Sequence, residues 1–526
     1  MSFRVRVSRF RHVFGQPLKK ALTYENVRVS STSWDTCYCS VGAKFVALIV
    51  ECSGGGAFVV IPLNQYGRLA PDAPIVGGHK GAVLDIAWNP FNDNVIASAS
   101  EDCLVKVWEI PDGGLVRTMQ ESVVDLVYHQ RRVGFVVWHP TAENVLLSCG
   151  SDNVMVVWNV AAAEPLVVIN TVPEQVSSAC WSWNGSELLI SSRDKKLRIL
   201  DARTGQIKEE APGHEGSKTC KAIFLKDGSV LTSGFSKMSE RQYSLRRRGK
   251  LGEPVVLEAI DKSNGIMFLL YDPDTNIVFF CGKGDSVIRY FEYNDEAPYL
   301  HYISTFQASE PQRAIGMLPK RICDVKSCEI TRIFRATSNG VVAVHPFIVP
   351  RKSEQFQEDL YPDTFGDTPA LSAEEWAEGK DADPILVSMK DGFSSSSTGE
   401  KKKFVRKNIV FEKKAAPSQR KSEDLSPQLS EDAIRRIVNE VMNQRFEDFK
   451  RDMQLDVSKL KAVVVRQNDR VSQLEAAQSR LQRSNGDAAG GHVQQLGQET
   501  ATGVRTQDTA NGNGDAPLQE LQENEV

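Results

Sequence analysis

The chain has 526 residues, of which 41% are hydrophobic and 25% are charged, and its formal net charge at pH 7 is −4. This balance is typical of a globular protein, and it excludes both a globally basic nucleic-acid-binding protein and a chain that is disordered throughout. The longest apolar runs are far too short to cross a bilayer. The ten cysteines include no CxxC pair and the eight histidines are well separated. We therefore expect reduced, buried cysteines in a cytoplasmic protein, no metal site and no cofactor.

Residues 1–76 contain short apolar strands separated by polar turns, at the pitch of a propeller blade that lacks the full repeat signature. Basic residues are dense in this region. They form either an ordinary solvated face or a contact for an acidic partner. The basic candidates in this region are Arg9, Arg11, Lys19, Lys20 and Arg28.

Residues 78–109 form a nearly complete WD-type repeat, with four strand-length runs separated by turns. Asp102 lies six residues before Trp108, and Ser100 lies eight before it. We predict that Asp102 accepts a hydrogen bond from His79 and that Ser100 links this pair to the indole N–H of Trp108, which would join one blade to the next. The alternative is a catalytic His79–Asp102 pair, but the repeat already accounts for both residues.

The same repeat recurs further along the chain. Residues 129–159 align with it without a gap and keep its aspartate and its final tryptophan at Asp152 and Trp158. Gly150 stands where the first copy has Ser100, which predicts an incomplete hydrogen-bond network in the second copy. Residues 181–201 form a third copy, and weaker copies follow. Because radial repetition lets an all-β chain avoid exposed sheet edges, this pattern predicts a β-propeller.

The chain changes character after the last repeat. Residues 350–393 are rich in proline and aromatic side chains, which predicts an irregular strap packed on the propeller, with a short helix capped near Ser372. Residues 394–429 form a basic, flexible linker, in which residues 401–421 carry nine lysines and arginines against one acid. The linker is either simply solvated or binds a polyanion such as actin, a microtubule or an acidic lipid. Its candidate residues are Lys401, Lys402, Lys403, Arg406 and Lys407.

Residues 430–486 predict a coiled-coil helix with one continuous apolar face. The spacing of Arg470 and Glu475 is typical of parallel three-stranded coiled coils and favours a homotrimer, while polar glutamines in the seam leave a tetramer or a dimer open. The seam and pairing residues are Val457, Leu460, Val464, Arg470, Val471, Leu474, Glu475 and Leu481. Residues 487–526 have no periodicity and carry seven acids against one arginine, which predicts a disordered acidic tail.

The order of propeller, basic linker and coiled coil resembles that of the coronin family. Short strings that resemble coronin sequences run through residues 1–393, beyond the WD repeats themselves. They include FRHVFG at 10–15, RVS at 28–30, GFSKMSERQ at 234–242, PKR at 319–321 and FQED at 356–359. The resemblance implies a seven-bladed WD-repeat β-propeller over residues 1–349, in an all-β fold that is followed by the linker and the C-terminal α-helical coiled coil.

The resemblance also implies a function. Coronins bind filamentous actin, and the family's N-terminal basic motif falls on Arg28 in this sequence. We therefore expect a non-enzymatic protein of the actin-rich cortex that regulates actin organisation and is made multivalent by its coiled coil. The resemblance further implies regulation of the branched-actin nucleating complex, and we expect no nucleic-acid partner. The alternative is a propeller scaffold in membrane trafficking, with peptide or lipid partners.

Overall fold

The computed structural model describes residues 8–17, 19–352, 355–390 and 392. In this part of the chain the polypeptide folds into a seven-bladed β-propeller, which confirms the predicted fold class. The predicted linker, coiled coil and acidic tail, residues 394–526, lie outside the described residues. So do all of the candidate residues that the sequence assigns to the linker and to oligomerisation.

Six of the seven blades are four-stranded antiparallel sheets. The strands up to the end of blade one are β1 (Phe14–Gly15), β2 (Thr23–Glu25), β3 (Cys39–Val41), β4 (Phe45–Val50), β5 (Gly56–Pro62), β6 (Gly67–Arg68) and β7 (Ile75–His79), of which β3, β4, β5 and β7 form the blade. Blade two contains β8 (Val83–Trp88), β9 (Val95–Ser100), β10 (Leu104–Glu109) and β11 (Val124–Val127). Blade three contains β12 (Val133–Trp138), β13 (Val145–Gly150), β14 (Met155–Asn159) and β15 (Glu164–Ile169).

The remaining blades follow the same order along the chain. Blade four contains β16 (Val176–Trp181), β17 (Glu187–Ser192), β18 (Lys196–Asp201) and β19 (Ile207–Pro212). Blade five contains β20 (Lys221–Phe224), β21 (Val230–Phe235), β22 (Arg241–Arg246) and β23 (Pro254–Asp261). Blade six contains β24 (Met267–Asp272), β25 (Ile277–Gly282), β26 (Val287–Tyr293) and β27 (Leu300–Gln307). Blade seven is built on β28 (Gln312–Met317), β29 (Glu329–Thr337) and β30 (Val342–Ile348).

The first strands of neighbouring blades contact one another around the centre of the ring. The second strands are the most completely buried: all six residues of β9, with the sequence VIASAS, are inaccessible to solvent. Such continuous runs of small and β-branched residues suit a strand that is covered on both faces. The turns between second and third strands lie on one face, which we call the upper face. The turns between first and second strands lie on the opposite, lower face.

The ring is closed by strands from the two ends of the propeller sequence. β30 pairs with β29 on one side and with β2 and β1 on the other, with Thr23 opposite Ala343 and Phe14 opposite Ile348. β6 then adds in parallel to β2. Because the N-terminal strands complete blade seven, the terminal sheet is not left with an open edge at this point.

The strap after the propeller crosses the lower face. Its strands β31 (Thr364–Phe365) and β32 (Leu386–Val387) pair with each other, and its helix α1 (Ala373–Ala377) begins at Ser372 with a complete capping box, which confirms the predicted capped helix. Trp376 is fully buried against blades three and four. Three short 3-10 helices complete the regular structure of the described residues: η1 (Lys20–Leu22), η2 (Lys320–Ile322) and η3 (Val325–Ser327).

Two further expectations can be compared with the described residues. All ten cysteines are free, as expected, but only five of them are buried: four are partly exposed and Cys52 is exposed. No helix in the described part of the chain is long and apolar enough to span a membrane.

Candidate partner-binding site

The predicted network around His79 joins blade one to blade two. His79 ends β7, and its Nδ1 lies 2.9 Å from Oδ2 of Asp102 in the turn between β9 and β10. Its Nε2 lies 2.7 Å from Oγ of Ser98, and the indole N–H of Trp108 donates to the same oxygen over 2.8 Å. The side chain of His79 is only 1% exposed. The contacts therefore belong to the packing between two blades.

The prediction that Ser100 makes this link is wrong. In the sheet, Trp108 lies opposite Ile96, so that Ser98 is its diagonal neighbour on the same face. Ser100 lies further along β9, beyond the reach of the indole. Its hydroxyl instead accepts the backbone N–H of Asp102 over 3.2 Å and so stabilises the turn.

The prediction of an incomplete network at Gly150 is also wrong. Nδ1 of His129 lies 3.1 Å from each carboxylate oxygen of Asp152, its Nε2 lies 2.8 Å from Ser148 Oγ, and Trp158 donates to Ser148 over 2.8 Å. The network does not need a hydroxyl at position 150, because the hydroxyl that contacts His129 and Trp158 belongs to Ser148. A Cβ at Gly150 would lie 2.1 Å from Oδ1 of Asp152. The glycine therefore leaves room for the histidine–aspartate pair.

In each of these two networks the surroundings shift the pKa of one group, the Asp102 carboxyl in the first and the His129 ring in the second. Burial alone would raise the pKa of the Asp102 carboxyl, but hydrogen bonds from His79 and from backbone N–H groups outweigh it and lower that pKa to about 2. In the second network, burial lowers the pKa of His129 despite the opposing charge of Asp152. A carboxylate held by several donors next to a buried ring suits a structural contact between blades.

The third copy has a different arrangement. Asp194 occupies the expected turn, but its partners are Arg198 and Ser192 and not a histidine. Only 2% of the Arg198 side chain is exposed, and its guanidinium also binds Glu210 over 2.7 Å. An arginine between two carboxylates therefore replaces the histidine and tryptophan in blade four.

Arg28 lies on the upper face, in the connection between β2 and β3. We call residues 26–38 the connecting segment. The backbone around Arg28 is fixed: Val27 donates to Gly340 over 2.9 Å, and the carbonyl of Arg28 accepts the N–H of Glu51 over 3.0 Å. The side chain of Arg28 is exposed, and it makes no ion pair with any described residue.

The structure does not bring the other basic candidates together with Arg28. Arg9 donates to the carbonyl of Asp359 in the strap over 2.9 Å, near the lower face. Arg11 lines a shallow pocket on blade six with Tyr302. The remaining two candidates are Lys19 and Lys20, and both are exposed. Lys19 lies just before η1 and Lys20 is its first residue, on the outer edge of blade seven.

The connecting segment continues from Arg28 across the centre of the upper face. Arg313 of blade seven holds it by donating to the carbonyls of Ser30 and Thr32, over 2.7 to 2.9 Å. The indole N–H of Trp34 reaches the carbonyl of Gly134 on β12 over 2.8 Å, and the guanidinium of Arg132 lies 4.8 Å from the ring centroid. Sequence reasoning did not single out Trp34, because it belongs to no repeat.

The same segment also contacts blades five and six. Thr219, which precedes β20, donates to the carboxylate of Asp35 over 2.8 Å. Lys283, from the hairpin turn between β25 and β26, donates to the carbonyl of Trp34 and lies 3.5 Å from Asp35. The connecting segment is thus attached to the rims of several blades, and Arg28 lies at its outer end.

No catalytic or metal centre emerges from these contacts. Within the described ranges, no group of three or more histidine, cysteine, aspartate or glutamate side chains could hold a metal ion. The turn after Gly282 connects the paired strands β25 and β26 and so forms a hairpin. What the upper face offers is an exposed arginine on an anchored segment, which suits contact with a macromolecular partner.

Family models and one solved structure of similar fold agree with this architecture. Residues 3–68 match the family described as a domain of unknown function, DUF1899. Residues 74–109 match the WD domain, G-beta repeat, and residues 345–384 match a type of WD40 repeat. The crystal structure of the WD40 domain from Toxoplasma gondii coronin is 30% identical, with a TM-score of 0.69, over 73% of this chain and 99% of that chain. A chain from a crystal structure of the mitotic checkpoint complex is 14% identical over 66% of this chain and 98% of that chain, with a TM-score of 0.44.

Proposed function

The chain belongs to the coronin family, and we therefore propose that it binds actin filaments and regulates their organisation. Arg28 is the residue that we propose for the filament contact. It supports the proposal because its guanidinium is exposed and has no ion-pair partner among the described residues, while the backbone on both sides of it is hydrogen-bonded. A charge on a pre-ordered segment loses little conformational entropy when it binds an acidic surface.

The remaining basic candidates have a different part in the proposal. Arg9, Arg11, Lys19 and Lys20 are spread from the lower face along the outer edge of blade seven, so they do not extend the Arg28 contact into one patch. We propose that the basic linker, residues 401–421, adds weaker contacts to the filament. Its high density of positive charge would make these contacts sensitive to salt.

Multivalency is the second component of the proposal. Residues 430–486 would join three chains, with a tetramer as the alternative, and each chain would bring its own propeller to the filament. Linked binding sites raise the overall affinity without new contacts, because the later binding events become intramolecular. We propose regulation of the branched-actin nucleating complex and a place in the actin-rich cortex as consequences of the same assembly. The protein acts in this proposal by binding and not by catalysis.

The proposal is tested by co-sedimentation of the full chain with filamentous actin. Arg28→Asp should weaken binding about tenfold at moderate salt, because it replaces an attraction with a repulsion. Arg117→Asp is the matched control: Arg117 is also exposed, but it lies in the connection between β10 and β11 on the lower face. Equal pelleting of the wild type and the Arg28→Asp variant would exclude Arg28 as the site. Binding to anionic vesicles without any binding to actin would favour the trafficking alternative.

A further inference from the structure

A cavity of about 520 Å³ opens on the upper face beside the connecting segment. Trp34 and Asp35 form one wall, and the rims of blades four, five and six form the others. A volume of this size lies within the range of specific ligand sites. The cavity does not include Arg28, so it is separate from the contact proposed for actin.

The charge around this upper cavity is strongly unbalanced. Asp35 is the one carboxylate among its lining side chains, and five cationic side chains face it. His214 also lines the cavity, but burial lowers its pKa to about 4, so the ring is neutral at physiological pH. The cationic lining residues are Arg193, Lys195, Lys196, Lys218 and Lys283.

Two of these five cations are already compensated by carboxylates. Lys196 pairs with Glu210, and Lys283 lies 3.5 Å from Asp35. Neither Lys196 nor Lys283 therefore adds an uncompensated charge to the cavity. The imbalance therefore comes from the other three.

The other three cations have no carboxylate partner. Lys195 donates to the backbone carbonyl of Glu215 over 2.7 Å, and Lys218 donates to the backbone carbonyl of Asn264 over 2.9 Å. Arg193 is exposed and pairs with no described residue. A neutral carbonyl orients an ammonium group but does not cancel its charge. Three uncompensated positive charges therefore line the cavity, two from the upper turn of blade four and one from the connection between blades four and five.

A half-buried cation, Lys221, lies beside the cavity. Lys221 follows Cys220, which lines the cavity, and its Nζ donates to the carbonyl of Ser177 over 3.1 Å. No described carboxylate lies within ion-pair distance of it, and burial lowers its pKa. Burying an ammonium group without a counter-charge costs free energy. Lys221 adds a further positive charge beside the cavity, although it is not among the lining residues.

We propose that the upper cavity binds an acidic peptide segment of a partner protein, with its carboxylates at Arg193, Lys195 and Lys218. The concave shape favours an inserted chain over a flat membrane surface. The wall also supplies apolar contact for a peptide backbone and its side-chain stems, since Trp34 and Phe135 line the same cavity. A small inorganic anion would satisfy one or two of these cations but would leave most of the volume unfilled.

The test uses the full chain and a fluorescein-labelled polyglutamate peptide, with binding followed by fluorescence anisotropy. We expect saturable binding that weakens with salt, and no binding of a polyglutamine peptide of the same length. The double variant R193E/K218E should bind polyglutamate about tenfold more weakly or worse, because two attractions become repulsions. Both side chains are exposed, so the fold should be retained.

The matched control is Lys237→Glu. Lys237 is exposed in the upper turn of blade five but does not line the cavity. Its variant should bind polyglutamate within about twofold of the wild type. Equal losses in the control and the double variant would mean that the peptide follows overall charge, and this would overturn the proposal. Capture of the chain by phosphatidylserine vesicles through Arg193 and Lys218, without peptide binding, would also overturn it.

Discussion

Trp34 donates its indole N–H to the carbonyl oxygen of Gly134, 2.8 Å away, and this bond attaches the segment that follows Arg28 to blade three. The two residues are a hundred positions apart in the sequence. A Cβ on Gly134 would lie 2.9 Å from the ring of Trp34, so a glycine is needed for this close approach. The proposed actin contact is therefore positioned by a bond on the far side of the propeller's centre.

Trp34→Ala should weaken both the fold and the proposed filament contact. The free energy of unfolding should fall by about 2 kcal/mol, because the substitution removes a buried ring face and the hydrogen bond to Gly134. Binding to filaments should weaken by about fivefold, because the segment loses order before it binds. Urea unfolding and co-sedimentation measure the two effects.

The control for Trp34 is Trp183→Ala. Trp183 packs on Phe365 of the strap, with ring centroids 4.8 Å apart, on the lower face. Its loss should reduce stability but leave filament binding unchanged. If Trp34→Ala pelleted like the wild type, order in the connecting segment would not contribute to binding.

Ser98→Ala should destabilise the protein more than Ser100→Ala. Without the Ser98 hydroxyl, the Nε2 of His79 and the indole N–H of Trp108 both lose their partner in a buried site. We expect a loss of about 3 kcal/mol for Ser98→Ala and about 1 kcal/mol for Ser100→Ala, whose hydroxyl accepts from the backbone N–H of Asp102 and donates to the carbonyl of Gly81. Urea unfolding of the two single variants measures the difference. Equal losses of stability would show that Ser100 contributes as much as Ser98, as the repeat spacing suggested.

The stability of the Asp85→Asn variant relative to the wild type should increase as the pH rises. Burial raises the pKa of Asp85 to about 7, although its carboxylate accepts the N–H of Val136 over 3.1 Å. The folded state therefore binds this proton more tightly than the unfolded state, for which the ordinary value is 3.8. The stability that protonated Asp85 contributes is complete below about pH 4 and is lost as the pH rises toward 7.

The asparagine stays neutral and avoids this loss. Between pH 5 and pH 8, the free energy of unfolding of Asp85→Asn should gain about 2 to 3 kcal/mol relative to the wild type. Asp72→Asn, at an exposed position, is the control. The measurement is urea unfolding at both pH values, and a constant difference would show that Asp85 is ionised at no cost.

Arg470→Ala combined with Glu475→Ala should lower the mass of the assembly. The prediction comes from sequence spacing alone, since both residues lie outside the described residues. An arginine and a glutamate at these positions pair between neighbouring strands of a trimer, so their removal should favour a smaller or a mixed assembly. Light scattering of the full chain measures the mass. An unchanged mass would remove the reason for preferring three strands.

Sequence reasoning recovered the blades best where the repeat was most complete. The alignment of the two best copies already contained the serine that the structure uses, because Ser98 and Ser148 occupy the same position, while Ser100 is replaced by Gly150. Spacing to Trp108 was the weaker guide. Which hydroxyl meets an indole depends on strand register, and register involves a partner strand that a single repeat does not specify.

The candidate binding residues were harder to place. Arg28 and Arg9 are close in sequence, yet one lies on the upper face and the other contacts the strap near the lower face. A chain that crosses the full height of a blade separates neighbours in sequence. No sequence motif marks Trp34, Arg193 or Lys218, because the contacts that make each of them significant come from residues in other blades.

By itself, the sequence determined the strand-and-turn period, the repeating aspartate and tryptophan, and hence the propeller and its family. These features are local: alternation, turn chemistry and repeat spacing act within some tens of residues. The tertiary structure decided the pairing of β30 with β2, the bond between Trp34 and Gly134, and the convergence of unpaired cations on one cavity. Those are contacts between distant segments, and they arise only when the ring closes and the ends of different blades meet on one face.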